Sequence, residues 1–329
     1  VVGGLCRSME PEMPPEGTPL LPDAFLLHNR QTTYGPDMRF FARNPRERLL
    51  TLEGAHRLQI DAGVNSAIVA DCYLDGWTDR ARLIVLPEMM GLEAETGEQL
   101  RRYVEGGGCV LAVGRIPQVD GRPADAFGVE CETEPWQDHV YLPAWDDEPA
   151  ALVRGDFHKI ALRGADAVRY AIPAWDARHG HRYGWGIGPA CDEASDVPVL
   201  TRRKLGKGEA WFLGVPLFSD YHAHANWQQV SWWAGLLDWM RVARRVRVEA
   251  PTGNIEPIAY GNEKSTWAVL VNLNGEQMTG LGTRNWARTM GPAPSVDVNL
   301  AIALEGIEGT DGLLERTAGI GSRELFTLA

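Results

Sequence analysis

The sequence predicts an α/β fold: a parallel sheet flanked by helices, followed by a small antiparallel β-sandwich. Three observations lead there. Residues 83–86, Leu-Ile-Val-Leu, are a continuous apolar run stopped by Pro87, which suits a strand buried on both faces. Leu92, Leu100, Tyr103 and Val104 then recur at helical spacing among Glu93, Glu95, Glu98, Arg101 and Arg102. The glycines at 106–108 end that helix before a second buried run at 109–113. Past residue 246 the composition turns from helix-bearing to short alternating strands, as a small sandwich requires.

Taken in order, the first 22 residues hold Pro11, Pro14, Pro15, Pro19 and Pro22 and read as a linker that starts at Val1 without a methionine, with more of the chain expected upstream. Residues 23–29 form a first strand, followed by a polar and aromatic loop with Tyr34, Phe40 and Phe41. A helix starts near Pro45, carries Leu49, Leu52, Ala55, His56 and Ile60, and stops at Gly63; residues 65–70 give the second strand. Strand, helix and strand in that order imply right-handed parallel crossovers. Between 115 and 197 the pattern weakens into Asp-, Pro- and Gly-rich stretches holding Trp136, Trp145, Trp175 and Trp185, where excursions with short irregular strands such as 139–142 are expected. Residues 199–215 read as a hairpin turning at 206–208, and 226–242 as an amphipathic helix. The division is therefore a linker over 1–22, an α/β domain over 23–245 and a β-sandwich over 246–329.

The 329 residues carry a formal charge of −12, which disfavours nonspecific attraction to nucleic acid or anionic lipid. No apolar run approaches the roughly 20 residues that a membrane helix needs. The five cysteines, Cys6, Cys72, Cys109, Cys131 and Cys191, form no close pair, so a reducing, cytoplasmic setting is expected, with Cys72 and Cys109 as buried, inert thiols.

Several groups are candidates for chemistry. Asp220, His222 and His224 make an Asp-x-His-x-His cluster, and His179 with His181 a second pair; imidazole and carboxylate at close spacing suit zinc, whereas the bland reading is a polar loop packed on tryptophans. Trp227, Trp232, Trp233 and Trp239 at helical spacing fit a core or a subunit contact better than a sugar platform. Trp136, Trp175, Tyr183 and Trp185 fit an exposed role better, the last two within a segment over 176–193 that also holds Arg178, His181 and Arg182. The glycines of 106–108 and 184–188 lack the strand, loop and helix order of a nucleotide site. Glu88, after Pro87, is read as a surface carboxylate.

The runs 84–87 and 103–114, the closing 206–214 hairpin with its aromatic helix, and Leu270-Val271-Asn272 resemble the middle (trimerisation) and C-terminal β domains of β-galactosidases of glycoside hydrolase family forty-two. The resemblance implies a flavodoxin-like, class I glutamine amidotransferase-like sheet, a catalytic barrel upstream and a homo-oligomer, with a trimer favoured. It implies no cofactor or metal. Its function would be that of a noncatalytic portion that assembles subunits and lends Trp175, His181, Tyr183, Trp185, Asp220 and His222 to a carbohydrate site. Amidotransferases need a cysteine on the turn that here reads Gly114-Arg115, and a histidine where Phe218 stands, so that activity is not expected. Two other readings are an independent hydrolase or metal enzyme using Asp220, His222 and His224, and a carbohydrate-binding protein.

Overall fold

The computed structural model describes residues 16–30, 45–88, 91–145, 150–174, 194–242, 244–249, 255–261, 266–272 and 299–302. Strand β1 (Ala24–His28) leads to helix α1 (Pro45–Asp61), β2 (Ser66–Ala70), a 3-10 turn (Asp71–Gly76) and β3 (Leu83–Pro87). A short β4 (Gly91–Leu92), helix α2 (Ala94–Gly106) and β5 (Cys109–Val113) complete the predicted unit. All five residues of β3 are buried, as a central parallel strand demands. Leu100 and Val104 of α2 face the core while Arg101 bridges Glu98 and Glu105 in solvent, and Gly107 closes the helix at φ 120°.

Two short strands that pair with each other, β6 (Gln118–Val119) and β7 (Arg122–Pro123), precede the hairpin of β8 (Val129–Leu142) and β9 (Ala151–Leu162). The short irregular strands expected here are thus two long ones, joined by β11 (Ile172–Pro173) into a separate sheet. Register shifts at three places between Cys131 and His139 break the period-two alternation, which is why the sequence hid them. Trp136, expected to be exposed, is half-buried against Phe157, their ring centroids 5.8 Å apart. Strand β10 (Asp166–Tyr170) and the hairpin of β12 (Pro198–Leu205) and β13 (Gly208–Leu213) return to the main sheet.

Among the described residues that sheet runs β10-β12-β13-β5-β3-β1-β2. The five strands from β13 to β2 are parallel; β12 runs antiparallel to β13, and β10, antiparallel to β12, points the same way as the five. Helix α3 (Leu217–His224) and helix α4 (Trp227–Trp239) follow β13; Asn226 caps α4 by accepting the Gln228 N–H at 3.0 Å. The four tryptophans of α4 divide. Trp232 and Trp233 are buried in the core, whereas Trp227 is 63% exposed. No helix among the described residues is long and apolar enough to cross a membrane.

Helices α1 and α3 approach closely at Gly54, where an added Cβ would lie 2.1 Å from the Phe218 carbonyl oxygen and 2.9 Å from the His222 Cβ. Alanine normally gains about 1 kcal/mol over glycine inside a helix. Here the contact reverses the sign, and Gly54→Ala is expected to lower stability by about 2 kcal/mol in urea unfolding.

Past the α/β region, β14 (Val246–Glu249) pairs with β17 (Asn299–Ile302) and β15 (Ile255–Gly261) with β16 (Thr266–Asn272), each pair antiparallel. Part of the stretch read as a linker lies along β15: Leu20 bridges Tyr260, and the Leu21 N–H donates to the Ala259 carbonyl at 2.9 Å. Beside it Asp23, fully buried, accepts the Arg245 backbone N–H on both carboxylate oxygens at 3.0 and 3.1 Å and pairs with the Arg245 guanidinium at 3.3 Å. Burial outweighs these contacts and pushes the Asp23 carboxyl up to about 6 from 3.8. Since the folded state holds this proton more tightly, the contribution of Asp23 to stability is full below pH 3.8 and lost as pH rises through 6. The expected result is that Asp23→Asn gains on the natural protein by up to about 3 kcal/mol between pH 4 and 7, read as the difference between the two unfolding curves.

Candidate functional site

In open α/β sheets ligands gather outside the carboxyl ends of the parallel strands, so that edge is the place to look. After β1 and β2 stand Arg30 and Asp71. The Arg30 Nε lies 2.7 Å from the Asp71 Oδ1, and that carboxylate also accepts the backbone N–H of Arg30 and of Cys72. Asp71 is buried and thereby committed to holding the edge together. Cys72, expected to be buried, is exposed, because the chain leaves β2 in a 3-10 turn rather than continuing the strand. Cys109 opens β5, at the opposite edge of the sheet, where burial pushes its thiol up to about 12.

After β3 comes Glu88, with φ 47°, a left-handed conformation that costs a non-glycine residue about 1 kcal/mol or more. Rather than a freely exposed surface carboxylate, it is a half-buried cap. Its Oε1 accepts the Phe218 and Ser219 backbone N–H groups at 3.1 and 2.9 Å, at the first turn of α3, and the Thr51 hydroxyl reaches Oε2 at 3.5 Å. Burial holds the Glu88 carboxyl above its ordinary range, opposed by those hydrogen bonds. Beside it, Gly114 ends β5 at φ 81°, and a Cβ there would lie 2.5 Å from the Glu88 Cγ. The sequence offered one signal for this arrangement, an acid and a glycine directly following adjacent buried strands.

After β13, Phe218 is fully buried and meets Trp233 edge to face, ring centroids 5.2 Å apart. The turn after β5 thus carries Gly114 and the first turn of α3 carries Phe218, so neither place offers a thiol or an imidazole.

The Asp-x-His-x-His cluster, read as a loop, lies on α3. Residues two apart on a helix point about 200° from one another, so His222 leaves the other two. Its Nε2 faces Glu53 on α1 at 3.2 Å. Asp220 is buried and braces three elements: it pairs with the His224 Nδ1 at 2.8 Å, the Arg154 guanidinium on β9 at 3.5 Å, and the Gln229 amide of α4. Among the described residues no group of three His, Cys, Asp or Glu side chains is placed to hold a metal ion. Of the other candidates, Trp175, His179, His181, Tyr183 and Trp185 lie outside the described residues.

No protein-family model matches the chain, and no curated protein sequence does. Solved structures do. The α-L-fucosidase isoenzyme 2 of Paenibacillus thiaminolyticus matches with a TM-score of 0.59 at 14% identity, over 82% of this chain and 40% of its own. A β-galactosidase of Rahnella sp. R3 gives 0.57 at 15%, over 84% and 39%. A family 42 β-galactosidase of G. stearothermophilus, Gan42B, gives 0.50 at 12%, over 78% and 35%. Glycosidase chains carry this fold. The likeness is one of fold, and this chain spans about two-fifths of their length or less.

Proposed function

We propose that the chain is the noncatalytic C-terminal portion of a β-galactosidase-like glycoside hydrolase, in which it assembles subunits. In this reading residues 23–245 are the class I amidotransferase-like domain and 246–329 the β-sandwich. The order β2-β1-β3-β5-β13 supports the first assignment, since it follows the 2-1-3-4-5 succession of flavodoxin-like sheets. One observation carries the functional reading: the edge where chemistry would occur is filled by the protein's own packing, with Glu88 capping α3, Gly114 at the turn and Phe218 sealed against Trp233. Such an edge serves as a scaffold. Trp175, His181, Tyr183 and Trp185, with His222, are the residues offered to a galactoside held by a catalytic barrel; Asp220, buried against Arg154, His224 and Gln229, is withdrawn from that set.

Sedimentation velocity at micromolar concentration tests the assembly role, on the chain alone and joined to its barrel. An oligomer, a trimer by the family resemblance, is expected; a monomer in both states overturns it. Hydrolysis of a nitrophenyl galactoside by the chain alone would overturn the noncatalytic assignment.

A further inference from the structure

The two ends of the seven-stranded sheet are built differently. At one end β10 carries Asp166 and Arg169, and its pairing with β12 shifts register twice, between Ala167 and Arg169 and between Arg169 and Tyr170. Charges and bulges are the devices that keep an edge strand from pairing with another chain. At the other end β2 reads Ser66-Ala67-Ile68-Val69-Ala70, without a charge, a proline or a register shift against β1. Among the described residues it is paired on one side only. Val69 is buried, but Ile68 at its centre is 48% exposed, and Tyr73, three residues beyond the strand, is 69% exposed.

We infer that β2 is a self-recognition edge, pairing antiparallel with β2 of a second copy across a two-fold axis at Ile68. The occupant is specified by two features. A row of open backbone groups takes an extended strand, and the five-residue segment is complementary to its own reverse. Ser66 then faces Ala70 of the second copy, Ala67 faces Val69, and Ile68 meets itself. Small or branched apolar side chains oppose one another at every step, with no charge left to desolvate. The contact joins two seven-stranded sheets edge to edge and buries both copies of Ile68. It produces even numbers of subunits, so a three-fold contact elsewhere on the chain would be joined by it in pairs. The β2 edge has this composition whether or not the chain serves a glycosidase.

Sedimentation equilibrium of the full chain tests it against Ile68→Lys, which places a charge on the axis without touching the core. The natural protein is expected to show a reversible two-fold association, and Ile68→Lys to weaken it by at least about tenfold while keeping the circular dichroism spectrum. In a Cys72→Ser background, Ile68→Cys is expected to form an intermolecular disulfide under mild oxidation. Hydrogen exchange of the β2 amides should slow with rising concentration. Association unchanged in Ile68→Lys, or failure of Ile68→Cys to cross-link, overturns the inference while leaving assembly through another surface intact. Protection at full dilution of the outward-facing β2 amides, those not bonded to β1, would also overturn it, by showing that another segment of this chain covers the edge.

Discussion

Trp233→Ala is expected to cost about 4 kcal/mol of stability, within the range for truncating a fully buried tryptophan. Two losses combine. The indole leaves a cavity beneath α3, where Phe218 now meets it edge to face at 5.2 Å, and its Nε1–H no longer donates to the Gln59 Oε1 at 3.1 Å. Gln59 is fully buried, so its amide oxygen has no solvent to turn to. Urea unfolding followed by circular dichroism measures the effect, and Trp233→Phe should recover part of it by keeping the ring contact while still losing the donor. A cycle with Phe218→Ala separates the two. If the rings form the plug that fills the carboxyl edge, they should couple by about 1 kcal/mol. Additive effects would mean that each ring fills its own space and that no joint plug exists.

What could be read from the sequence follows the kind of burial each element has. Strands β1, β3, β5 and β13 were legible because central parallel strands are apolar along most of their length, and the edge strand β2 because its five residues carry no charge, a signal that needs no knowledge of neighbours. The turn at Gly206 was legible too: its φ of 62° asks for glycine, and glycine stands there. Strands β8 and β9 escaped because their bulges carry Glu132, Glu134 and Pro135 through the ladder and erase the alternation. The edge was half legible. That Gly114 and Phe218 offer no thiol or imidazole could be read directly, but the roles of Glu88 and Asp220 depend on partners from distant parts of the chain. Phe218 is 130 residues from Glu88, and Arg154 is 66 from Asp220. A carboxylate after a strand looks the same in sequence whether it meets water or two backbone N–H groups. The helical form of residues 217–224 likewise turned an apparent ligand set into two unrelated contacts, because a spacing of two that would converge on a strand diverges on a helix.

Glu88→Ala is expected to be as damaging as loss of the tryptophan. The alanine leaves the Phe218 and Ser219 N–H groups without their acceptor in a half-buried site beside Gly114 and Thr51, and two such orphans cost together about 4 kcal/mol. Alanine also keeps the unfavourable φ of 47°. Glu88→Gln isolates the charge from the cap, since its amide oxygen still accepts those N–H groups. Burial raises the folded-state pKa of Glu88, so the contribution of this carboxyl to stability is greatest at low pH, where both states are protonated, and falls as pH rises through the folded value. Glu88→Gln should therefore match or trail the natural protein in acid and gain on it steadily toward neutral pH, whereas Glu88→Ala should be destabilised at both. If Glu88→Gln instead lost ground as pH rose, the ionised carboxylate would be the favoured form. The edge would then hold a deliberately charged group at the first turn of α3, and its reading as a sealed scaffold would give way to that of a working site.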